Sequence, residues 1–84
     1  MTTTRQIKAA RALLGWSQGD LAKASSISEP TIARLESNDG KLGGREITAL
    51  KLRTAIEAAG VVFIDENGGG AGVRLKSRRP KPRK

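Results

Sequence analysis

The sequence lacks cysteine and histidine and has almost no aromatic residues. Without cysteine, the 84-residue chain forms neither disulfides nor thiolate metal sites. Without histidine, it has neither the commonest general base nor the commonest zinc ligand. Trp16 and Phe63 are its only aromatic residues, so we expect a small core with little room for a deep substrate pocket. These absences argue against an enzyme, and we expect neither a cofactor nor a metal site.

Long apolar runs are missing as well. No stretch approaches the roughly 20 apolar residues that span a bilayer. The polar residues 1–8 also lack the apolar region of a signal peptide. We therefore expect a chain with one folded domain and no membrane segment, located in the cytoplasm.

Basic residues outnumber acidic ones, and most of the excess lies at the C-terminal end. The formal charge is +8, from 16 basic and 8 acidic residues. Six of the basic residues lie within 76–84, where no acidic residue occurs. Residues 77–84 contain two prolines and no apolar residue, so they are predicted to be a disordered basic tail unless bound. This composition favours a polyanionic partner, with solubility or non-specific RNA binding as the alternatives. The candidate phosphate contacts of the tail are Arg78, Arg79, Lys81 and Arg83.

The first 60 residues contain the apolar periodicity of four helices. A first helix is predicted over residues 4–14, with Thr4 as its N-cap and Gly15 as its end. A second is predicted to begin after Ser17, because Asp20 three residues later completes a variant of the capping box.

Pro30 indicates where the third helix begins. A proline is tolerated in a helix only in the first turn, where its missing N–H needs no partner. The third helix is therefore predicted to begin at Ser28 or Glu29, with Ser28 as its N-cap, and to end by residues 38–40.

A fourth helix is predicted over residues 45–59, with Gly60 as its C-cap. Its predicted apolar side consists of Ile47, Leu50, Ile56 and Ala59, broadened by Leu52 and Ala55.

Residues 61–76 are predicted to form a β-hairpin with a glycine-rich loop. The run 61–64 is β-branched and aromatic, and residues 73–76 alternate between apolar and basic. A two-stranded hairpin is marginal alone, so its apolar side chains either pack on the fourth helix or pair with a second copy. We hypothesise that the hairpin and the end of the fourth helix form the contact of a homodimer. The residues proposed for this contact are Val61, Phe63, Val73 and Leu75.

Two short helices joined by a tight turn, from Ser17 to Glu36, form the central unit. The second begins with small polar residues and carries Arg34 outward, while Ile32 and Leu35 are predicted to face inward. This arrangement suits DNA, because the major groove admits an α-helix whose first residues reach the base edges.

The stretch SQGDLAKASSISEPTIARLESN resembles the helix-turn-helix of the Cro/XRE family of phage and bacterial repressors. The shared pattern is Ser-Gln, Leu-Ala, Ile-Ser, Thr-Ile and Leu-Glu, in that order along the stretch. The resemblance implies a mainly α, lambda-repressor-like fold of four helices, here over residues 1–60. It further implies a bacterial or phage setting and a homodimer that binds a double-stranded DNA operator.

The resemblance also assigns roles to matching residues. Gln18 would contact a DNA phosphate and brace the recognition helix, Arg34 would reach a guanine edge or a phosphate, and Asn38 would contact a phosphate. Arg11 and Glu36 match a partly buried ion pair of structural importance. The full set of candidate DNA contacts is Ser17, Gln18, Ser28, Glu29, Thr31, Arg34, Asn38 and Lys41.

The sequence departs from the family pattern at two places. Ser26 stands where the family usually has a turn glycine, so we expect a non-glycine residue with positive φ, at a cost of roughly 1 kcal/mol. Glu29 and Pro30 replace more typical recognition residues. Glu29 is able to accept a hydrogen bond from cytosine, but it repels phosphate.

The sequence therefore predicts a transcriptional regulator, either a repressor or an autoregulator. One alternative is an antitoxin that also binds DNA and has a toxin as its protein partner. Another is an architectural factor that directs a recombinase on mobile DNA.

Overall fold

The structure is a computed structural model that describes residues 2–77. These residues form four α-helices followed by two antiparallel β-strands. The elements are α1 Thr4–Leu14, α2 Gln18–Ser25, α3 Glu29–Glu36, α4 Glu46–Ala58, β1 Val61–Ile64 and β2 Gly72–Leu75. The predicted fold class of four helices and a C-terminal hairpin is confirmed. The tail residues proposed as phosphate contacts, Arg78, Arg79, Lys81 and Arg83, lie outside the described residues.

The N-cap of α1 is Thr3, so the predicted cap at Thr4 is wrong by one residue. The Thr3 hydroxyl accepts a hydrogen bond from the Gln6 backbone N–H at 3.1 Å, and the Gln6 side chain accepts one from the Thr3 N–H at 2.9 Å. This reciprocal box needs a residue with a side-chain acceptor three places after the cap. Gln6 meets that need for Thr3, whereas Ile7 cannot meet it for Thr4.

Serine caps begin α2 and α3, as predicted. Ser17 Oγ accepts from the Asp20 N–H at 3.0 Å, and Asp20 accepts in return from the Ser17 N–H at 2.9 Å. Ser28 Oγ accepts from the Thr31 N–H at 3.3 Å, and Pro30 lies in the first turn of α3. Each cap satisfies a backbone donor that the helix itself leaves unpaired.

The core is one cluster of aliphatic side chains with a single phenylalanine, drawn from every helix, from β1 and from the loop between α3 and α4. Its buried members are Ile7, Ala10, Leu14, Leu21, Ile32, Leu35, Leu42, Leu52, Ile56, Val61 and Phe63. None of the helices within residues 2–77 is long and apolar enough to cross a membrane.

The face of α4 that packs on the core is the predicted one in part. Ala55 and Ala59 pack against the core as predicted. Ile47 and Leu50 are 52% and 59% exposed, whereas Leu52 and Ile56 are buried. The sequence of α4 carries two apolar lines, and the one that includes Leu52, Ile56 and the small residue Ala49 faces the core. The helix also ends differently, since its C-cap is Ala59 and Gly60, with φ 109°, follows the cap.

The hairpin completes the core of its own chain. The strands pair in a register that joins Ile64 to Gly72, so β2 begins one residue before the predicted Val73. Val61 and Phe63 are buried against the helices. These two side chains therefore pack on the helices of their own chain, which is one of the two alternatives predicted for the hairpin.

The side chains of Val61 and Phe63 therefore keep little surface for a second copy, and the dimer contact proposed for them stays a prediction. Val73 and Leu75 also pack against the core, although they are only partly buried. For these two residues too, a dimer contact stays a prediction.

A glutamine side chain holds the hairpin on α1. The Gln6 side-chain amide donates hydrogen bonds to the carbonyl oxygens of Ile64 and Gly72 at 3.1 and 3.0 Å. Because Gln6 is also the capping-box partner of Thr3, one buried side chain joins the start of α1 to the loop end of both strands.

Ser26 ends α2 in the left-handed conformation, with φ 64°, and it is the one described non-glycine residue with positive φ. This conformation is strained for a residue that carries a Cβ. Gly15 adopts nearly the same conformation after α1, with φ 69° and no atom within 4 Å of where a Cβ would lie.

We therefore expect Ser26→Gly to raise the free energy of unfolding by about 0.5–1 kcal/mol, because relief of strain exceeds the added entropy of the unfolded chain. Ser26→Ala is the matched control and should leave it nearly unchanged. Gly15→Ala should lower it by about 1 kcal/mol. Urea unfolding followed by circular dichroism measures all three. A Ser26→Gly variant no more stable than Ser26→Ala would contradict the strain.

Candidate nucleic-acid interface

α2 and α3 meet at a tight turn and leave one side of α3 uncovered. Ile32 and Leu35 bury the inner side of α3 in the core. The residues at its N-terminal end, Ser28 and Glu29, are exposed, and so is Arg34 one turn later. A helix held on one side and open on the other is the form that enters a DNA major groove.

A buried ion pair fixes α3 against α1. Arg11 Nε and Nη2 donate to the two carboxylate oxygens of Glu36 at 2.8 and 2.7 Å. Arg11 Nη1 donates to the Trp16 carbonyl at 3.0 Å, and Gln18 Nε2 donates to Glu36 Oε1 at 3.0 Å. This is the ion pair that the resemblance implied. It also gives Gln18 a contact that joins the start of α2 to the end of α3.

The charge state of Glu36 follows from this geometry. Its side chain is 4% exposed, and burial alone would raise its pKa. The hydrogen bonds from Arg11 and Gln18, together with the positive charges of Arg11 and Lys8, outweigh burial, so the pKa of Glu36 lies below its usual value. Because of the hydrogen bonds with Glu36, the pKa of Arg11 is raised above its usual value. Both groups are therefore ionised at neutral pH.

The hydroxyl groups at the start of α3 are bonded to each other. Ser28 Oγ donates to Thr31 Oγ1 at 2.9 Å while it caps the Thr31 N–H. Ser28 is exposed and Thr31 is half-buried. The first turn of α3 thus presents a rigid pair of hydroxyls to solvent, where either oxygen is able to accept a further hydrogen bond.

Glu29 leans toward the start of α2. Its Oε1 lies 3.4 Å from the point where a Cβ on Gly19 would lie. A carboxylate is stabilised there by the positive end of the α2 dipole. The absence of a side chain at Gly19 leaves room for this approach of the Glu29 side chain. The contact of Glu29 with a base stays a prediction.

Arg34 lines a groove between α3 and the start of α4, with a volume of about 450 Å³. Its lining residues are Thr31, Arg34, Leu35, Gly44, Arg45 and Thr48. Within the described part of the chain, neither Arg34 nor Arg45 forms an ion pair, so the groove carries two uncompensated positive charges. The sequence reasoning missed Arg45 and Thr48. The signal in the sequence that could have identified Arg45 was its position as a basic residue directly before the predicted fourth helix.

Asn38 and Lys41 lie in the loop between α3 and α4, and both are exposed. This loop is held at the N-terminal end of α1, where Thr3 and Lys41 form an isolated β-bridge. Arg5 binds Asp39 through two hydrogen bonds at 3.0 and 3.1 Å, which neutralises an acidic side chain in the loop. Lys41 is not among the residues that line the Arg34 groove.

The arrangement suits anion binding better than catalysis or metal binding. Exposed positive and hydroxyl groups surround α3. Within residues 2–77, no group of three or more acidic, histidine or cysteine side chains is placed to hold a metal ion. Cationic and hydroxyl donors of this kind bind the phosphates of a nucleic acid backbone.

Comparison with known proteins supports this interpretation. A family model described as helix-turn-helix matches residues 7–59, which run from α1 to the end of α4 and make up more than half of the chain. The matched segment contains the ion pair, the start of α3 and the Arg34 groove. No curated protein matches the chain.

Glu36→Gln should lower the free energy of unfolding at neutral pH by about 2–3 kcal/mol, because it leaves the guanidinium of Arg11 without its buried partner. The pKa of Glu36 is lower in the folded state than in the unfolded state. Its contribution is therefore complete above the unfolded pKa, about 4.3, and is lost as the pH falls below that value. The stability gap between wild type and Glu36→Gln should accordingly shrink in acid.

Urea unfolding at a series of pH values measures this gap. Glu57→Gln is the matched control, since Glu57 forms an exposed ion pair with Arg53 at 3.1 Å that should contribute less than about 1 kcal/mol. Equal losses for the two variants would show that the buried pair does not stabilise α3.

Proposed function

Since the chain belongs to the Cro/C1-type helix-turn-helix family of DNA-binding regulators, we propose that it binds a specific double-stranded DNA operator and represses or autoregulates transcription. In this proposal α3 enters the major groove. The observation that supports it best is the exposed polar side of α3, held in one orientation by the contacts of Glu36 with Arg11 and Gln18. The family is a regulatory one and is not normally enzymatic.

The proposed contacts divide into base and phosphate contacts. Ser28, Glu29, Thr31 and Arg34 would supply the contacts to bases, because they lie along the exposed first two turns of α3. Ser17, Gln18, Asn38 and Lys41 would contact phosphates on either side. These eight residues are the candidate DNA contacts predicted from the sequence.

Arg45 and Thr48 extend the proposed interface. The groove that they share with Arg34 is open and positively charged, and it lies beside α3. A backbone phosphate next to the reading helix would neutralise both arginines, which supports adding Arg45 to the phosphate contacts. The same groove would also hold Arg34 close to the base edges.

The basic tail would add affinity without sequence preference. Its candidate contacts, Arg78, Arg79, Lys81 and Arg83, carry a large share of the net charge. Each phosphate that a protein neutralises adds to the salt dependence of binding, whatever the sequence bound. In this proposal affinity thus comes largely from the tail, and specificity comes from α3.

Arg34→Ala should weaken binding to the operator by about 10- to 100-fold and relax the preference for one base pair, as expected when a contact to a guanine is lost. Protection mapping on the DNA that flanks the gene locates the operator, and fluorescence anisotropy measures affinity. Arg74→Ala is the matched control, since it removes the same charge from an exposed position on β2. It should leave the sequence preference unchanged.

Unchanged protection by Arg34→Ala would contradict the assignment of that residue. Several adjacent protected sites on strongly bent DNA would favour the recombination-directing role over simple repression.

Neutralising the tail should reduce the salt dependence of binding. Replacing Arg78, Arg79, Lys81 and Arg83 together with glutamine should lower the slope of log affinity against log salt by up to about 3–4, if all four contact phosphates. The ratio of operator to random-DNA affinity should change little. A slope equal to that of the wild type would show that the tail does not bind DNA.

A further inference from the structure

The loop between β1 and β2 is open and almost free of side chains. Asn67 is exposed, and it is followed by three exposed glycines, Gly68, Gly69 and Gly70. No atom lies within 4 Å of the point where a Cβ on any of these glycines would lie. Within residues 2–77, neither the Asn67 side chain nor the Gly68 amide has a hydrogen-bond partner. Nothing therefore holds the side-chain amide of Asn67 away from the backbone nitrogen of Gly68.

These two groups are able to react with each other. The Gly68 nitrogen forms a bond to the side-chain carbonyl carbon of Asn67, and ammonia leaves with the side-chain nitrogen and the proton of the Gly68 amide. The succinimide ring that results then adds water and opens at either carbonyl, to give aspartate or isoaspartate. One water is consumed and one ammonia is released. A glycine in the second position favours ring closure, because it lacks a Cβ and reaches conformations that other residues avoid.

From this open geometry we propose that Asn67 is a site of spontaneous deamidation, which converts a neutral amide in the hairpin loop into a carboxylate. Water is the only co-reactant, and no enzyme is required. The change lowers the formal charge of +8 by one and places a third acidic residue directly after Asp65 and Glu66. The inference does not depend on DNA binding, so it goes beyond the proposed function.

A second pair of the same kind is protected by its contacts. Asp39 precedes Gly40, and an aspartate in that position forms the same ring by loss of water. Arg5 donates to both carboxylate oxygens of Asp39 at 3.1 and 3.0 Å, and the Gly40 amide donates to one of them at 2.9 Å. The hydrogen bonds from Arg5 lower the pKa of Asp39. Since an ionised carboxylate is a poor target for attack, ring closure at Asp39 is slow in the folded chain.

Contacts at the base of the hairpin loop preserve the fold after the reaction. The Gln6 side chain holds the carbonyl oxygens of Ile64 and Gly72, on either side of the loop. Arg53 binds Asp65 at 3.3 Å. Isoaspartate lengthens the main chain by one atom, which a loop of unpacked glycines accommodates. The deamidated protein therefore stays folded, and a more acidic form accumulates as the protein ages.

Peptide mass spectrometry of aged protein tests the site. Trypsin releases Asn67 in the peptide 54–74 and Asn38 in the peptide 35–41, so one digest follows both asparagines. After incubation at neutral and mildly alkaline pH, we expect Asn67 to deamidate about 10-fold faster than Asn38, whose following residue carries a side chain. Asn38 is exposed as well, so it serves as the internal control.

Two glycine substitutions test the role of the neighbouring nitrogen. Gly68→Ala should slow deamidation of Asn67 by about 10-fold, because a Cβ beside the attacking nitrogen hinders ring closure. Gly70→Ala is the matched control, since it makes the same change in the same loop and should leave the rate unchanged. Neither added Cβ meets another atom within 4 Å, and circular dichroism checks that both variants fold.

Unfolding in guanidinium tests the contribution of the structure. It should speed the isomerisation of Asp39 several-fold, because Arg5 is released, and should leave the rate at Asn67 nearly unchanged. An isoaspartyl methyltransferase assay of the peptide 35–41 measures the isomerisation, which does not change the mass. A rate at Asn67 that rises as much as the rate at Asp39 would show that the folded loop protects Asn67. That result, or equal rates at Asn67 and Asn38 in the folded protein, would overturn the proposal.

Discussion

The orientation of α3 depends on the ion pair between Arg11 and Glu36. α3 has eight residues, too few for a helix to be stable in isolation. Its buried residues Ile32 and Leu35 attach it to the core, but apolar contacts have no direction. The two parallel hydrogen bonds from the guanidinium to the carboxylate do have direction, and they fix how far α3 is rotated about its own axis. The proposed reading surface exists because this rotation is fixed.

The hairpin and the helices form one packed unit. Gln6 holds the loop end of both strands on α1, and Arg53 of α4 lies over the Phe63 ring at 4.6 Å. Arg53 also binds Asp65 at 3.3 Å, just beyond β1. Residue 60, where the sequence changes from a helical to a strand pattern, therefore separates helices from strands, but both parts share one core. A small domain gains from this arrangement, because a four-helix core of this size has few apolar side chains to bury.

Local chemistry made much of the fold predictable. Ser17, Ser28 and Pro30 each act within one turn of helix, so the starts of α2 and α3 could be predicted from the spacing of these residues alone. The positive φ of Ser26 followed from the family resemblance. The buried side of α4 was predictable only in part: Leu52 and Ile56 were rightly included, but Ile47 and Leu50 are equally apolar and were included with them. Only the packing of the other elements decides between them.

Two other features depend on contacts that are distant in sequence. Gln6 is buried where strands 58 and 66 positions away present two carbonyl oxygens to it. Arg45 joins the candidate site only because the loop after α3 brings the start of α4 beside Arg34. Polar residues with such roles look like ordinary surface residues in the sequence. Their partners become visible only in three dimensions.

Pro30 has an additional consequence for the proposed contact of α3 with DNA. Proline has no amide hydrogen, and the Thr31 amide is already bonded to Ser28. Within the described residues, this leaves the Ser28 and Glu29 amides as the free backbone donors at the start of α3, next to an acidic side chain. The start of α3 thus has few backbone amides to donate to a phosphate, and such a contact would carry no sequence information. In the proposed complex the start of α3 would instead contribute side-chain contacts, which discriminate between bases, while other parts of the surface would supply the backbone-phosphate contacts.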